Sequence, residues 1–193
     1  RGFEAIGDMT FNLNSSGEVS LGAETSDLSL TEGASNSIDL DDKIQGTEYT
    51  VSLGSFAVES KTFSAQFQQP QIELDSDNVL TVKADQGYDY LSATDEVLMT
   101  QKYNVDSNIG ATTTSGDVKI KLTGENDAPV AINDSAIIAE NQSINIASLN
   151  NDIDVDNGAV LSVDSASSTR GLTTTDGNTV TFSANTDFDY LAQ

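Results

Sequence analysis

The sequence contains no cysteine, no histidine and no tryptophan, and only two of its 193 residues are proline. Without cysteine and histidine, the chain has no means to build a zinc finger, a thiol-based active site or a histidine-dependent triad. Positive charge is also scarce, because 8 Lys and Arg stand against 31 Asp and Glu, a formal net charge of -23. This balance argues against nucleic acid as a partner, since phosphate binding needs clustered cations. No apolar run approaches the roughly 20 residues of a transmembrane helix, so we expect no direct membrane insertion.

The residues that are abundant favour β-structure. Aspartate supplies 21 of the 31 acidic side chains, and aspartate favours turns over helices. Polar and apolar residues alternate, as in Val118–Leu122, where VKIKL places three apolar side chains on one face. Strands with one apolar face and one polar face are typical of antiparallel sheets packed as a sandwich. The composition and the spacing of turn residues therefore predict an all-β protein built from Ig-like antiparallel β-sandwich modules.

An internal repeat predicts two such modules in tandem. The segment Asn78–Leu91 (NVLTVKADQGYDYL) recurs one hundred residues later as Asn178–Leu191 (NTVTFSANTDFDYL). The repeated Tyr-Asp-Tyr and Phe-Asp-Tyr triplets are interpreted as core and turn anchors. Between the copies, Thr123–Val130 (TGENDAPV) is rich in turn residues and holds one of the two prolines, which predicts a short, stiff linker.

These features predict the following domain boundaries. Residues 27–126 form the first module and residues 127–193 the second. The first copy continues past its repeat with strand-like runs at 97–105 and 117–122, so we expect the second module to lack its last two strands. Residues 1–26 resemble a hairpin, which is either the tail of a preceding module or a pair of strands that complement the second module.

The densest acidic motif lies in the second module. Asn151–Gly158 (NDIDVDNG) alternates Asp152, Asp154 and Asp156 with apolar residues before a turn. In an extended segment the three carboxylates would share one side and repel one another unless a cation lay between them. Calcium binds carboxylate, amide and carbonyl oxygens in flexible geometry. A calcium site is therefore one interpretation, and a solvated acidic loop is the other.

The linker carries a family resemblance. Thr123–Val130 resembles the T-G-x-N-D-A-P-V segment that commonly ends the cadherin-like and VCBS-type repeats found in tandem in bacterial RTX adhesins. The resemblance implies calcium (Ca²⁺) bound at the module junction. One departure is that the arginine of the D-R-E step is missing at Asp95-Glu96. The implied ligands are Glu32, Asp95, Glu96, Asp106, Glu125, Asn126, Asp127, Asp152, Asp154 and Asp156.

The resemblance implies a function outside the cell. We expect a non-catalytic, calcium-stabilised extender of a large secreted surface adhesin of a Gram-negative bacterium, with a role in cell adhesion and biofilm. Its partners would be neighbouring modules of the same long chain. The alternative is a module that binds a cell-surface carbohydrate or peptide, for which the less regular stretch 47–71 is the first place to look. An enzyme is not expected, because abundant aspartate alone is a poor predictor of glycosidase chemistry.

Overall fold

The structure is a computed structural model that describes residues 21–110 and 112–191. The chain divides into two compact units, residues 1–125 (unit 1) and residues 126–193 (unit 2). Within the described ranges, no helix is long and apolar enough to cross a membrane.

The described part of unit 1 consists of strands joined by loops, with one turn of 3-10 helix at Asp41–Lys43. The strands in the described part of unit 1 are β1 (Gly22–Ala23), β2 (Ser26–Thr31), β3 (Ser35–Asp39), β4 (Ile44–Gln45), β5 (Tyr49–Lys61), β6 (Gln71–Leu74), β7 (Val79–Lys83), β8 (Glu96–Ser107) and β9 (Thr113–Thr123).

Two sheets pack face to face in unit 1. One has the strand order β2-β9-β8-β5 and the other the order β3-β7-β6, while β1 and β4 form a short separate pair. Alternate residues point into the space between the sheets, because successive side chains of a strand face opposite ways. Leu80, Val82, Val97, Met99 and Ile120 are at most 1% exposed there. The prediction of an all-β, Ig-like fold is confirmed.

One strand pair departs from the predicted antiparallel pattern. Strand β2 runs parallel to β9, with Ser26 opposite Val118 and Thr31 opposite Thr123. Parallel neighbours need a long connection, and here the connection is the remainder of unit 1. Next to this pair, the hydroxyl of Tyr103 donates a hydrogen bond of 2.6 Å to the carbonyl oxygen of Glu24.

The start of unit 1 lies upstream of the predicted boundary at residue 27. Leu21 belongs to the hydrophobic core of unit 1, Gly22–Ala23 pairs with β4, and β2 begins at Ser26. Residues 21–26 are therefore part of unit 1. The predicted hairpin strands, Met9–Leu13 and Val19–Leu21, lie outside the described residues except for Leu21.

Unit 2 contains one three-stranded sheet in its described part. Strands β10 (Ser143–Ile146), β11 (Leu172–Thr175) and β12 (Val180–Ser183) pair in the antiparallel order β10-β12-β11. A 3-10 segment, Asn185–Leu191, follows β12.

The sequence repeat corresponds to a repeat of structure. The order β10-β12-β11 in unit 2 is the order β3-β7-β6 in unit 1. The turns before β7 and β12 also match: Asp75 Oδ1 accepts the backbone N–H groups of Asp77 and Val79, and Asp176 Oδ1 accepts those of Asn178 and Thr179. Both copies thus use an aspartate side chain to close the hairpin, as is common in such turns.

The aromatic residues of the first copy hold a loop. The hydroxyl groups of Tyr88 and Tyr90 donate to the backbone oxygens of Gln68 and Gln66, at 3.0 and 3.3 Å. The ring of Tyr90 lies edge-on to Phe63, with a centroid distance of 5.8 Å. These contacts attach the loop between β5 and β6 to the core.

The glycine of the linker motif is required by a close backbone approach. The N–H of Gly124 donates to the carbonyl oxygen of Asp95 at 3.1 Å. A Cβ atom on Gly124 would collide with the backbone oxygens of Leu91 and Ser92. Since backbone atoms cannot turn away as a side chain does, only glycine fits this position without a shift of the chain.

We expect Gly124→Ala to lower the free energy of unfolding of unit 1 by about 1–3 kcal/mol, because the added methyl group forces the backbone apart. Urea unfolding followed by circular dichroism measures the change. Gly110→Ala is the matched control and should be close to neutral, since its Cβ would meet only Ser107 Oγ at 3.8 Å. Equal effects of the two substitutions would contradict the steric explanation.

We also expect unit 1 to lose stability at alkaline pH. Burial raises the pKa of Tyr88 from 10.0 to about 12, with Tyr90 and Asp85 adding to the shift. The raised pKa means that the folded state disfavours the phenolate form of Tyr88. The contribution of the protonated side chain to the free energy of unfolding is therefore fully present below pH 10 and is lost as the pH rises through about 12. In Tyr88→Phe, the fall in unfolding free energy between pH 9 and 12 should be smaller than in the parent. An identical fall in both proteins would exclude Tyr88 as a source.

Candidate functional site

Four predicted ligands lie near the same end of unit 1, although the described carboxylates form no group that could hold a metal ion. The backbone N–H of Glu32 donates to the carbonyl oxygen of Thr123 at 3.0 Å, and Glu32 Oε1 accepts the N–H of Glu125 at 2.8 Å. Glu96 is opposite Thr123 in the β8–β9 register, and Asp95 precedes it. The chain segment 123–125 therefore runs between Glu32 on one side and the Asp95–Glu96 segment on the other.

Asp95 is the most buried of these four carboxylates. Its side chain accepts hydrogen bonds from the N–H and hydroxyl of Ser92, both at 3.1 Å, and from the hydroxyl of Thr62 at 3.2 Å. The residue is 6% exposed. These bonds join the turn before β8 to the end of β5, so Asp95 has a structural role whether or not an ion binds nearby.

Glu96 and Asp106 each have a polar partner within unit 1. Glu96 forms an ion pair with Lys121 on the neighbouring strand. Asp106 lies near the opposite end of β8, where its Oδ1 accepts the hydroxyl of Thr113 at 2.7 Å. At about 3.3 Å per residue, the ten-residue separation places Asp106 far from Glu96. The structure therefore does not group Asp106 with Glu32, Asp95, Glu96 and Glu125.

The remaining predicted ligands lie in unit 2, where two segments run side by side. Val130 and Ile153 exchange two backbone hydrogen bonds of 2.7 and 3.1 Å. Next to this pair, Asp152 Oδ1 accepts the N–H of Ile132 at 2.7 Å. The first residues of unit 2 are thus aligned antiparallel to the acidic motif.

Asp156 is the central carboxylate of this arrangement. Its Oδ2 accepts the N–H of Asp127 at 3.0 Å, while Asn126 Nδ2 donates to the carbonyl oxygen of Asp127 at 2.7 Å. Asp156 is only 9% exposed, and its Oδ1 is buried without a hydrogen-bond partner among the described residues. An unpaired buried carboxylate oxygen is costly, and a bound cation would remove that cost.

The acidic motif is not a simple extended strand. Asp154 Oδ1 accepts the N–H of Asp156 at 3.0 Å, a two-residue side-chain turn that competes with the extended conformation. The extended arrangement considered from the sequence, with all three carboxylates on one side, therefore does not describe this segment.

Asn151 is a candidate ligand that the predicted set omits. Its Oδ1 is buried and unpartnered in the described structure, while its Nδ2 donates to the backbone oxygen of Ile132 at 3.3 Å. The sequence could have indicated Asn151 as a ligand, because it directly precedes the D-x-D run and amide oxygens also bind calcium.

No group of three or more acidic side chains within the described ranges is close enough together to hold a metal ion. A cation bound in unit 2 would therefore have Asp156 as its one buried carboxylate, together with oxygen atoms of other types such as Asn151 Oδ1. Such a mixture of oxygen donors fits calcium better than zinc, which prefers nitrogen and sulfur ligands.

Comparison with known proteins gives one family match. Residues 126–192, about a third of the chain, match the family model described as a bacterial Ig domain. No curated protein is significantly similar to the chain. The match indicates a structural, extracellular type of module, and domains of this family are generally not enzymes.

We expect Asp95→Asn to destabilise unit 1 by about 1–3 kcal/mol even with a chelator present, because one carboxylate oxygen that accepts from Ser92 is replaced by a donor. Chemical unfolding in excess EDTA measures the loss. Asp77→Asn, at an exposed turn position, is the matched control and should change stability by less than about 0.5 kcal/mol. If Asp95→Asn had an effect only in calcium, its role would be that of an ion ligand instead.

Proposed function

We propose that this chain is a non-catalytic, calcium-stabilised structural module pair of a large secreted bacterial surface adhesin, of the cadherin-like or VCBS type found in RTX adhesins. The observation that carries the calcium part is the buried, unpartnered Oδ1 of Asp156. The bacterial Ig match of residues 126–192 and the Ig-like sandwich of unit 1 support a structural role.

The charge of the chain supports a dependence on cations. A formal net charge of -23 on 193 residues creates self-repulsion that destabilises a compact state. Calcium outside the cell is a suitable partner, since extracellular modules bind it with dissociation constants of roughly 10⁻⁴–10⁻³ M. At about 100 times the dissociation constant, one such site adds around 2.7 kcal/mol to the stability of the folded state.

The proposal places the protein at the cell surface of a Gram-negative bacterium, within a longer chain. Its partners are the neighbouring modules of that chain, and its contribution to adhesion and biofilm is to hold a binding module away from the membrane. The lack of cysteine supports secretion without disulfide bonds.

A second candidate function is ligand binding, and one groove favours it. A cavity of about 510 Å³ opens on the four-stranded sheet of unit 1, lined by Leu98, Lys119, Lys121 and Glu59, among others. A lining that combines apolar and charged side chains suits a small carbohydrate or peptide. Of the stretch 47–71, only Glu59 reaches this groove.

Calcium should raise the melting temperature of the protein and slow hydrogen exchange at the Asp127 amide, which donates to Asp156. In Asp156→Asn both responses should be lost, because a neutral amide cannot match the charge of the carboxylate. Calcium titration by calorimetry, with NMR exchange at 5 mM calcium and at 5 mM EDTA, measures these effects.

The matched control for this test is Asp164→Asn, an exposed aspartate of the same unit, which should respond to calcium as the parent does. Absence of any calcium effect in the parent would overturn the calcium part of the proposal. Binding of oligosaccharides on a glycan array, abolished by Lys119→Ala, would favour the ligand-binding function instead.

A further inference from the structure

The sequence contains one asparagine followed by glycine, Asn157-Gly158, at the end of the acidic motif. Each of the other asparagines is followed by a residue with a side chain. A side chain crowds the backbone nitrogen beside it, and glycine has none. Asn157 is therefore the asparagine whose side-chain amide is most open to attack by the next backbone nitrogen.

Asn157 and Gly158 form the two central positions of a tight turn. The N–H of Ala159 donates to the carbonyl oxygen of Asp156 at 3.1 Å, which closes the turn. Gly158 has a φ of +77°, whereas the φ of Asn157 is not positive, and this combination defines a type II turn. Both central residues are exposed, so water reaches the peptide bond between them.

The backbone nitrogen of Gly158 is accessible. A Cβ atom built on Gly158 would meet no heavy atom within 4 Å, so no neighbour crowds this residue. Among the described residues, none accepts a hydrogen bond from the Gly158 N–H. Asn78 is a contrast, because the next N–H, that of Val79, donates to Asp75 Oδ1 at 2.8 Å. The nitrogen that would close a ring is held at position 79 and is open at position 158.

The residue before this turn connects it to the start of unit 2. Asp156 Oδ2 accepts the N–H of Asp127 at 3.0 Å, and the N–H of Asp156 donates to Asp154 Oδ1 at 3.0 Å. Together with the bond from Ala159, these contacts position Asp156. A change in the backbone one residue further along therefore acts directly on this arrangement.

We propose that Asn157 is a self-modification site, at which the chain converts its own side-chain amide to a carboxylate without an enzyme. The nitrogen of Gly158 attacks Cγ of Asn157 and gives up its proton to a solvent base. The new N–Cγ bond closes a five-membered succinimide ring, while the Cγ–Nδ2 bond breaks and the amide nitrogen takes a proton from solvent and leaves as ammonia. Water then opens the ring, and no oxidant or cofactor is required.

The ring opens in two ways that give different products. Cleavage between the ring nitrogen and Cγ leaves a normal aspartate at position 157. Cleavage between the ring nitrogen and the backbone carbonyl carbon leaves isoaspartate, whose main chain runs through Cβ and Cγ and is one carbon longer. Either product adds a negative charge directly after Asp156, in a chain whose formal net charge is already -23.

The longer main chain of isoaspartate does not fit the turn. The hydrogen bond from Ala159 to Asp156 depends on the spacing of a four-residue turn, and one additional carbon changes that spacing. We expect isoaspartate to open the turn and to release Asp156 from the N–H of Asp127. This inference does not rest on the proposed calcium site, because the reaction needs only the turn and solvent.

The first test follows the conversion of the full chain in excess EDTA. Mass spectrometry of proteolytic peptides measures the conversion, and an isoaspartate-specific methyltransferase assay measures the isomer. A synthetic peptide of residues 151–164 gives the rate without a fold. We expect the full chain to convert Asn157 within about tenfold of the peptide rate, because exposed turns open at little cost in free energy. Conversion should also be faster at mildly alkaline than at mildly acidic pH, since base removes the Gly158 proton.

The controls are Asn36 in the same chain and the variant Asn157→Gln. Asn36-Ser37 lies within β3, where pairing with β7 holds the backbone, so Asn36 should convert far more slowly than Asn157. Asn157→Gln keeps the amide but would need a six-membered ring, so position 157 should stay unconverted. A slower rate at Asn157 than the peptide limit allows, or equal conversion at Asn36 and Asn157, would overturn the proposal.

The second test measures what the conversion does to the start of unit 2. Ion-exchange chromatography separates the isoaspartate form from the unmodified chain, and NMR compares hydrogen exchange at the Ala159 and Asp127 amides in EDTA. We expect exchange at both amides to be faster by about tenfold or more in the isoaspartate form, because their acceptor atoms on Asp156 move away. The Thr181 amide of β12 should keep its rate.

Unchanged exchange at Ala159 and Asp127 in the isoaspartate form would overturn the release of Asp156. Equal acceleration at Thr181 would also overturn it, because the modification would then unfold unit 2 as a whole.

Discussion

Packing of two sheets against each other is the interaction on which the rest of unit 1 depends. Each sheet has one apolar face, and neither face is stable in water without the other. Met99 and Ile120 on one side and Leu80 and Val82 on the other are almost completely buried. The loop held by Tyr88 and Tyr90, the turn fixed by Asp95 and the close approach at Gly124 all attach further segments to this sandwich. The described residues of unit 2 contain one such sheet, β10-β12-β11.

The sequence predicts those features of the fold that depend on neighbours along the chain. Alternation in Val118–Leu122 predicts a strand with one buried face, and the repeat at Asn78 and Asn178 predicts two copies of one hairpin. What could not be predicted depends on partners far away in sequence. The parallel pairing of β2 with β9 joins residues about ninety positions apart. The register shifts in β5, between Leu53 and Phe56 and between Val58 and Ser60, are equally non-local, because the bulged strand must follow the twist of β8.

The candidate site shows the same division between local and distant information. An aspartate-rich motif at 151–158 is visible in the sequence, as is the acidic linker beside it. Burial of Asp156 is not visible there, since it arises when the segment around Val130 lies along Ile153. Strand length explains why Asp106 does not group with Asp95 and Glu96, because it follows them by nearly the whole of β8. Residue type thus indicated candidate oxygen ligands, while burial and pairing determined which of their oxygen atoms lack a hydrogen-bond partner in the described structure.

The parallel pairing of β2 and β9 has a mechanical consequence for a chain that is pulled from both ends. Tension applied to β2 from its amino-terminal side and to β9 from its carboxyl-terminal side slides the two strands along each other. Their six residue pairs, from Ser26–Val118 to Thr31–Thr123, then bear the load together. Antiparallel strands pulled apart from one end would instead release their hydrogen bonds one after another. We therefore expect unit 1 to resist a stretching force applied along the chain for as long as β2 and β9 remain paired, because the hydrogen bonds between them are loaded in shear.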